Sequence, residues 1–138
     1  MQISRQADYG IRAMIEVAGL EPGATTRTKD VAREQEIPLV FLTKIILQLV
    51  RAGLLRSYRG ANGGIGLART KEEITLREIV EAIEGPIALN RCVLRAGECP
   101  RDKTCPVHKT WVTAQETLVA QLESTRLSDL VMAENASR

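Results

Sequence analysis

Residues 38–68 read PLVFLTKIILQLVRAGLLRSYRGANGGIGLA, and this stretch decides the fold. Its first half places Phe41, Leu42, Ile45, Ile46, Leu49 and Val50 at three- and four-residue spacings, the pattern of a helix with one inward apolar face. Pro38 suits the first position of that helix, and Gly53 is a natural residue just past its end. The second half changes character. Residues 54–59 read as a strand, 60–64 as a glycine-rich tip and 65–68 as a return strand. A hairpin placed directly after such a helix is a wing.

The residues just upstream complete the unit. Thr28 is expected to cap a short helix carrying Val31 and Ala32, and Glu36, Ile37 and Pro38 form a turn. Two short helices about a tight turn, followed by a wing, describe a winged helix-turn-helix. Binding duplex DNA requires a helix end in the major groove and cations along the phosphates. The candidates on the helix are Leu39, Val40, Thr43 and Lys44. On the wing they are Arg56, Arg59 and Asn62, whose glycine neighbours allow close approach to a backbone. Charge agrees with this placement. Residues 1–71 carry 11 Lys/Arg against 6 Asp/Glu, and residues 72–138 carry 8 against 11. Between Pro38 and Lys71 there are six basic residues and no acidic one, a footprint suited to a polyanion. A solvated basic face or a protein-docking winged domain is the plainer alternative.

Further outward, residues 3–18 repeat Ile3, Ala7, Ile11, Met14, Ile15 and Ala18 at helical spacing, with Ser4 as N-cap. Asp8 and Arg12 stand one turn apart on it, as a pair that can meet. On the other side, Thr75 and Glu78 have capping-box form, opening a helix with Leu76, Ile79, Val80 and Ile83 on one face. Gly85 and Pro86 end it. The winged domain is therefore assigned to residues 1–86.

Residues 92–108 hold all three cysteines of the chain and its only histidine, spaced Cys92-x6-Cys99-x5-Cys105-x2-His108. Gly97, Pro100 and Pro106 keep this stretch irregular, as a cage of converging thiolates requires. An iron–sulfur cluster on Cys92, Cys99 and Cys105 is the leading reading. Zinc on three Cys and one His competes, although compact zinc sites favour closely spaced cysteine pairs, which are missing here. Three thiols that ligate nothing are the ordinary alternative. For a fourth ligand His108 and Asp8 both stand as candidates; alone, the first reads as a surface histidine at a helix start and the second as an exposed helix residue. The cysteine-rich loop is assigned to residues 87–109.

Pro106 opens a long helix in which Trp111, Ala114, Leu118 and Leu122 form a seam. One appended helix has nothing in its own chain to cover that seam, so pairing with a second copy is expected. Residues 110–138 are assigned to this dimerisation helix and a last short turn, capped by Ser128 and running over residues 129–133, with residues 134–138 frayed. The fold class expected is thus mainly α, a winged helix-turn-helix with a two-stranded β-wing and a long C-terminal dimerisation helix.

Composition limits the function. Nothing approaches the ~20 apolar residues of a membrane span, and no signal peptide opens the chain, so a cytoplasmic protein is expected. There, an odd number of clustered cysteines reads as ligands or redox groups before disulfides. With one His, no phosphate-binding glycine motif and no nucleophile beside a base, the chain is not expected to be an enzyme.

The sequence resembles the Rrf-type winged-helix regulators over nearly its whole length. The resemblance is carried by Met1-Gln2-Ile3-Ser4 with residues 8–12, by residues 51–55 with 59–64, by residues 74–79 with 84–86, by the three-cysteine loop, and by residues 127–131. It implies a homodimer with paired long helices on a pseudo-palindromic operator, and a cluster bound by Cys92, Cys99 and Cys105 that senses iron, redox state or nitric oxide. In the IscR-like branch the Cys-x2-His histidine, matched by His108, completes a [2Fe-2S] cluster. In the NsrR-like branch an aspartate on the partner's first helix, matched by Asp8, completes a [4Fe-4S] cluster. Arg59 matches a wing arginine that enters the minor groove. Two departures stand out: the first cysteine gap is one residue longer than in those two branches, and Val40 and Thr43 replace the polar, acidic recognition positions of the IscR-like branch. A metal-free thiol-switch regulator of the same fold is the alternative.

Overall fold

A computed structural model describes residues 2–61, 63–95 and 97–138. The element order is α1 (Arg5–Ala18), α2 (Thr28–Glu34), α3 (Leu39–Arg51), β1 (Leu55–Tyr58), β2 (Gly64–Leu67), α4 (Leu76–Glu84), α5 (Arg91–Leu94), α6 (His108–Ser124) and α7 (Leu127–Ala136). The mainly α winged helix-turn-helix expected from the sequence is present. Among the described residues no helix is long and apolar enough to cross a membrane.

The Ser4 hydroxyl accepts the Ala7 N–H at 3.1 Å and caps α1. The buried face of α1 is Ala7, Gly10, Ala13, Met14, Val17 and Ala18; it keeps Ala7, Met14 and Ala18 of the expected stripe and replaces its three isoleucines with Gly10, Ala13 and Val17. Small residues let neighbouring helices approach closely: a Cβ on Gly10 would meet Ile83 of α4 at 3.2 Å. Ile11 and Ile15 pack at the margin of the core, and Ile3 is 53% exposed.

In α2 and α3 the starts shift by one residue. Thr28 lies inside α2, and Arg27 holds the cap position without a side-chain bond. Pro38 precedes α3 in an extended conformation (φ −57°, ψ 127°), and its carbonyl accepts the N–H groups of Phe41 and Leu42. Leu42, Ile45, Ile46 and Leu49 point into the core, whereas Phe41, expected inside, is 48% exposed. Position 41 lies about 100° around the helix from 42, enough to leave the buried sector.

The wing is antiparallel, with Leu55 opposite Leu67 and Tyr58 opposite Gly64. A third leg supports it: the Thr26 N–H donates to the Ile65 carbonyl at 3.0 Å and the Ile65 N–H returns to Thr26 at 2.7 Å. Gly64 passes so close to Thr26 that a Cβ would collide with that backbone, and its φ of +154° also favours glycine.

The capping box of α4 forms on both sides, Glu78 N–H to the Thr75 hydroxyl and Thr75 N–H to the Glu78 carboxylate. Burial pushes the Glu78 carboxyl up. The Arg69 hydrogen bond at 2.9 Å, the Thr75 N–H and the charges of Arg69 and Arg126 outweigh it and hold the carboxyl below its ordinary 4.5. A depressed carboxylate adds stability above its unfolded value and loses it as pH falls through the folded one. Glu78→Gln should therefore flatten the acid limb of the stability curve below pH 4.5, as urea midpoints across pH would show.

At the C-terminus α7 is a full helix to Ala136, longer than the short turn expected, and it starts at Leu127, ahead of Ser128. Leu127 and Val131 enter the core of the winged unit, and this burial extends the helix. An isolated β-bridge, Thr75 with Arg126, pins its start to the start of α4.

Candidate DNA-reading face and cysteine loop

Leu39, Val40, Thr43 and Lys44 are all exposed on the first two turns of α3. The Thr43 hydroxyl donates to the Leu39 carbonyl at 2.8 Å. Arg56 lies on β1 opposite Gly66, and Arg59 follows β1 directly; both are exposed. Asn62 falls outside the described residues. Arg27 escaped the sequence reading. Its guanidinium donates to the Ala61 carbonyl at 3.2 Å, tying the approach to α2 onto the wing tip. The β-branched Thr25 and Thr26 were the available signal, too short to tell a strand from a loop.

The Asn90 side chain accepts the Arg91 N–H at 2.8 Å and starts α5, which carries Cys92. Tight turns follow. The Asp102 N–H donates to Cys99, the Cys105 N–H to Arg101, and the His108 N–H to Cys105, at 3.1, 2.7 and 3.2 Å. The Asp102 carboxylate accepts the Gly97 N–H at 2.7 Å and closes the loop on itself. The three free thiols are half-buried and line one pocket of about 260 Å³, with Asn90, Asp102 and Trp111 also in its wall. Asp102 is a second residue the sequence reading missed; an acid between two candidate thiols was a visible signal.

His108 sits at the first position of α6, in an adjoining pocket shared with Cys92 and Asp102. Its Nδ1 is buried without a hydrogen-bond partner. Asp8 lies elsewhere in the chain, exposed on α1 and paired with Arg12 at 3.6 Å, as the one-turn spacing implied. It lines a separate hollow with Gln2, Ile3, Ser4 and Arg5. Among the described residues, no three His, Cys, Asp or Glu side chains are grouped closely enough to hold a metal ion as they stand. The structure thus gathers the three thiols on one pocket, sets His108 beside it and leaves Asp8 apart.

α6 packs on α4 and α5, and Gln115 fastens the connecting chain, accepting the Leu89 N–H at 2.8 Å and donating to the Ile87 carbonyl at 2.5 Å. No residue of α6 is fully buried. Trp111, Ala114, Leu118 and Leu122 remain half-covered.

A braced wing behind a helix with an acid-free outer face is the build of a winged-helix transcription regulator. Comparison with known proteins narrows this. Residues 3–133 match the Rrf2 family, described as iron-dependent transcriptional regulator. The chain belongs to that family. A Mycobacterium tuberculosis protein carried under the name of an HTH-type transcriptional regulator is 34% identical over 131 residues, covering 94% of this chain and 81% of its own. The structure of CymR of B. subtilis, titled the global cysteine regulator, superposes with a TM-score of 0.79 at 29% identity, covering 96% of this chain and 98% of its own. T. potens IscR gives 0.81 at 24% identity, covering all of this chain and 91% of its own, and shares the fold. The family regulates transcription, and the chain is not an enzyme.

Proposed function

We propose that this chain is a homodimeric transcription regulator whose affinity for a pseudo-palindromic operator is set by an iron–sulfur cluster held by Cys92, Cys99 and Cys105. The observation that carries the reading is that all three free cysteines line one pocket at the start of α6. Soft thiolates are the donors such clusters take. The orphaned Nδ1 of His108 supports that residue as fourth ligand, and with it a [2Fe-2S] cluster, because a buried polar atom without a partner is costly. Asp8 of a partner subunit, and a [4Fe-4S] cluster, is the competing arrangement.

A dimer is supported by α6. Its apolar seam borders a groove of about 440 Å³ lined by Ile3, Val80, Pro86, Leu118 and Leu122. A second copy of α6 would cover it.

A bound cluster supplies a centre whose charge and integrity depend on iron, oxygen, nitric oxide and electrons. The protein's part is mechanical. Cys105 is bonded to the His108 N–H, and Trp111 forms part of the pocket wall, so a shift of the thiols moves the first turn of α6. Two α3 helices fit successive major grooves only at a fixed spacing. Coupling of about 1–3 kcal/mol between the two states changes occupancy roughly 5–150-fold.

Protein purified without oxygen should be brown and contain iron and acid-labile sulfide. A colourless protein carrying zinc overturns the cluster. A second reading, a metal-free thiol switch, draws on the likeness to CymR. It requires iron-free protein whose operator binding changes on thiol oxidation. For the wing, Arg59→Ala should weaken operator binding at least about ten-fold, the weight of a charged hydrogen bond. It should also reduce the slope of log affinity against log salt by about one for each phosphate left without its cation, read by titration at several salt concentrations.

A further inference from the structure

The outer face of α3 is unusual for a DNA reader in what it offers. Val40, Thr43, Lys44 and Leu47 share one stripe, at spacings of three and four. Val40 is 70% exposed and Leu47 49%, with Leu39 beside them at 48%. The stripe has no carboxylate to accept from cytosine and no amide to grip adenine. Thr43 spends its hydroxyl proton on the Leu39 carbonyl, and Lys44 is a point charge without the fork that pairs with guanine. In the major groove one feature rewards an apolar side chain, the C5 methyl of thymine.

Resting on the DNA-binding reading above, we infer that α3 recognises its half-site through thymine methyl groups, with Val40 as the main contact. Lys44 on the stripe itself, Arg51 at the end of α3, and Arg56 and Arg59 on and beside β1 are exposed cations that would complement the phosphates flanking those thymines. The same cations make duplex DNA a better occupant than an apolar protein surface.

The test begins with selection of duplexes from a randomised pool by the full chain. Thymines of the selected operator are then replaced singly by deoxyuridine, which keeps the base pair and removes only the methyl. At the thymine facing Val40, replacement should weaken binding about four-fold, the worth of one buried methyl. Replacement in both half-sites should weaken it roughly fifteen-fold. Val40→Ala should abolish the difference between thymine and uracil there. Affinity indifferent to every methyl, or full discrimination retained by Val40→Ala, overturns the inference and leaves DNA binding intact. Failure to enrich or retain any duplex overturns the DNA reading itself, and this inference with it.

Discussion

Cys92→Ala, Cys99→Ala and Cys105→Ala should each leave the anaerobically reconstituted protein colourless, with iron and sulfide near background. The chain holds no fourth cysteine to substitute. All three cysteines line the same pocket, so under the proposed cluster the loss of any one leaves its ligand set incomplete. The fold should persist, because the thiols are half-buried and outside the core, where truncation costs about 1 kcal/mol or less. Loss of colour with an unchanged denaturation midpoint is the result expected. Retention of full visible absorption by any variant removes that cysteine from the ligand set. His108→Ala and Asp8→Ala, measured alongside, decide the fourth position: the ligand's variant loses or shifts the spectrum and the bystander's does not.

Leu42→Ala should cost about 2–5 kcal/mol. Leu42 is completely buried in the hydrophobic core. A domain of this kind has roughly 5–15 kcal/mol in total, so the variant will be near the edge of folding at 37 °C. Val40→Ala, two residues away on the exposed side, should change stability by no more than about 0.5 kcal/mol. Denaturant midpoints separate the two. The same helix is thus expected to divide cleanly, one face governing stability and the other DNA affinity. Equal stability losses at both positions would contradict the orientation of α3.

The winged unit was legible because its signals are local. Ser4 and the Thr75–Glu78 pair act on their own neighbourhoods, and the structure realises both, whereas Gly64, expected in the wing tip, begins β2 and is required by its close approach to the distant Thr26. What escaped notice depends on distant partners. The buried face of α1 is chosen by how closely α4 approaches Gly10, and no periodicity in residues 3–18 contains that distance. Thr26 joins the wing only because residue 65 lies beside it. α7 looked like a frayed end because only Leu127 and Val131 are buried there, and a two-residue pattern is too sparse to read. In the cysteine loop the spacing named the thiols. The role of Asp102 arises from a turn that brings Gly97 onto its carboxylate, a non-periodic contact.

The Thr75–Arg126 bridge has a topological consequence. Backbone bonds from Leu76 to Thr125 at 2.8 Å and from Leu127 to Ile74 at 2.9 Å tie the chain at two points far apart in sequence. Everything between them, α4, the cysteine loop and α6, belongs to one closed circuit with its knot in the hydrophobic core. The far end of α6 is therefore fixed to the start of α4 and is not a free antenna. Were the cysteine loop to shift as proposed, the displacement would travel along a helix whose far end is already fastened to the start of α4.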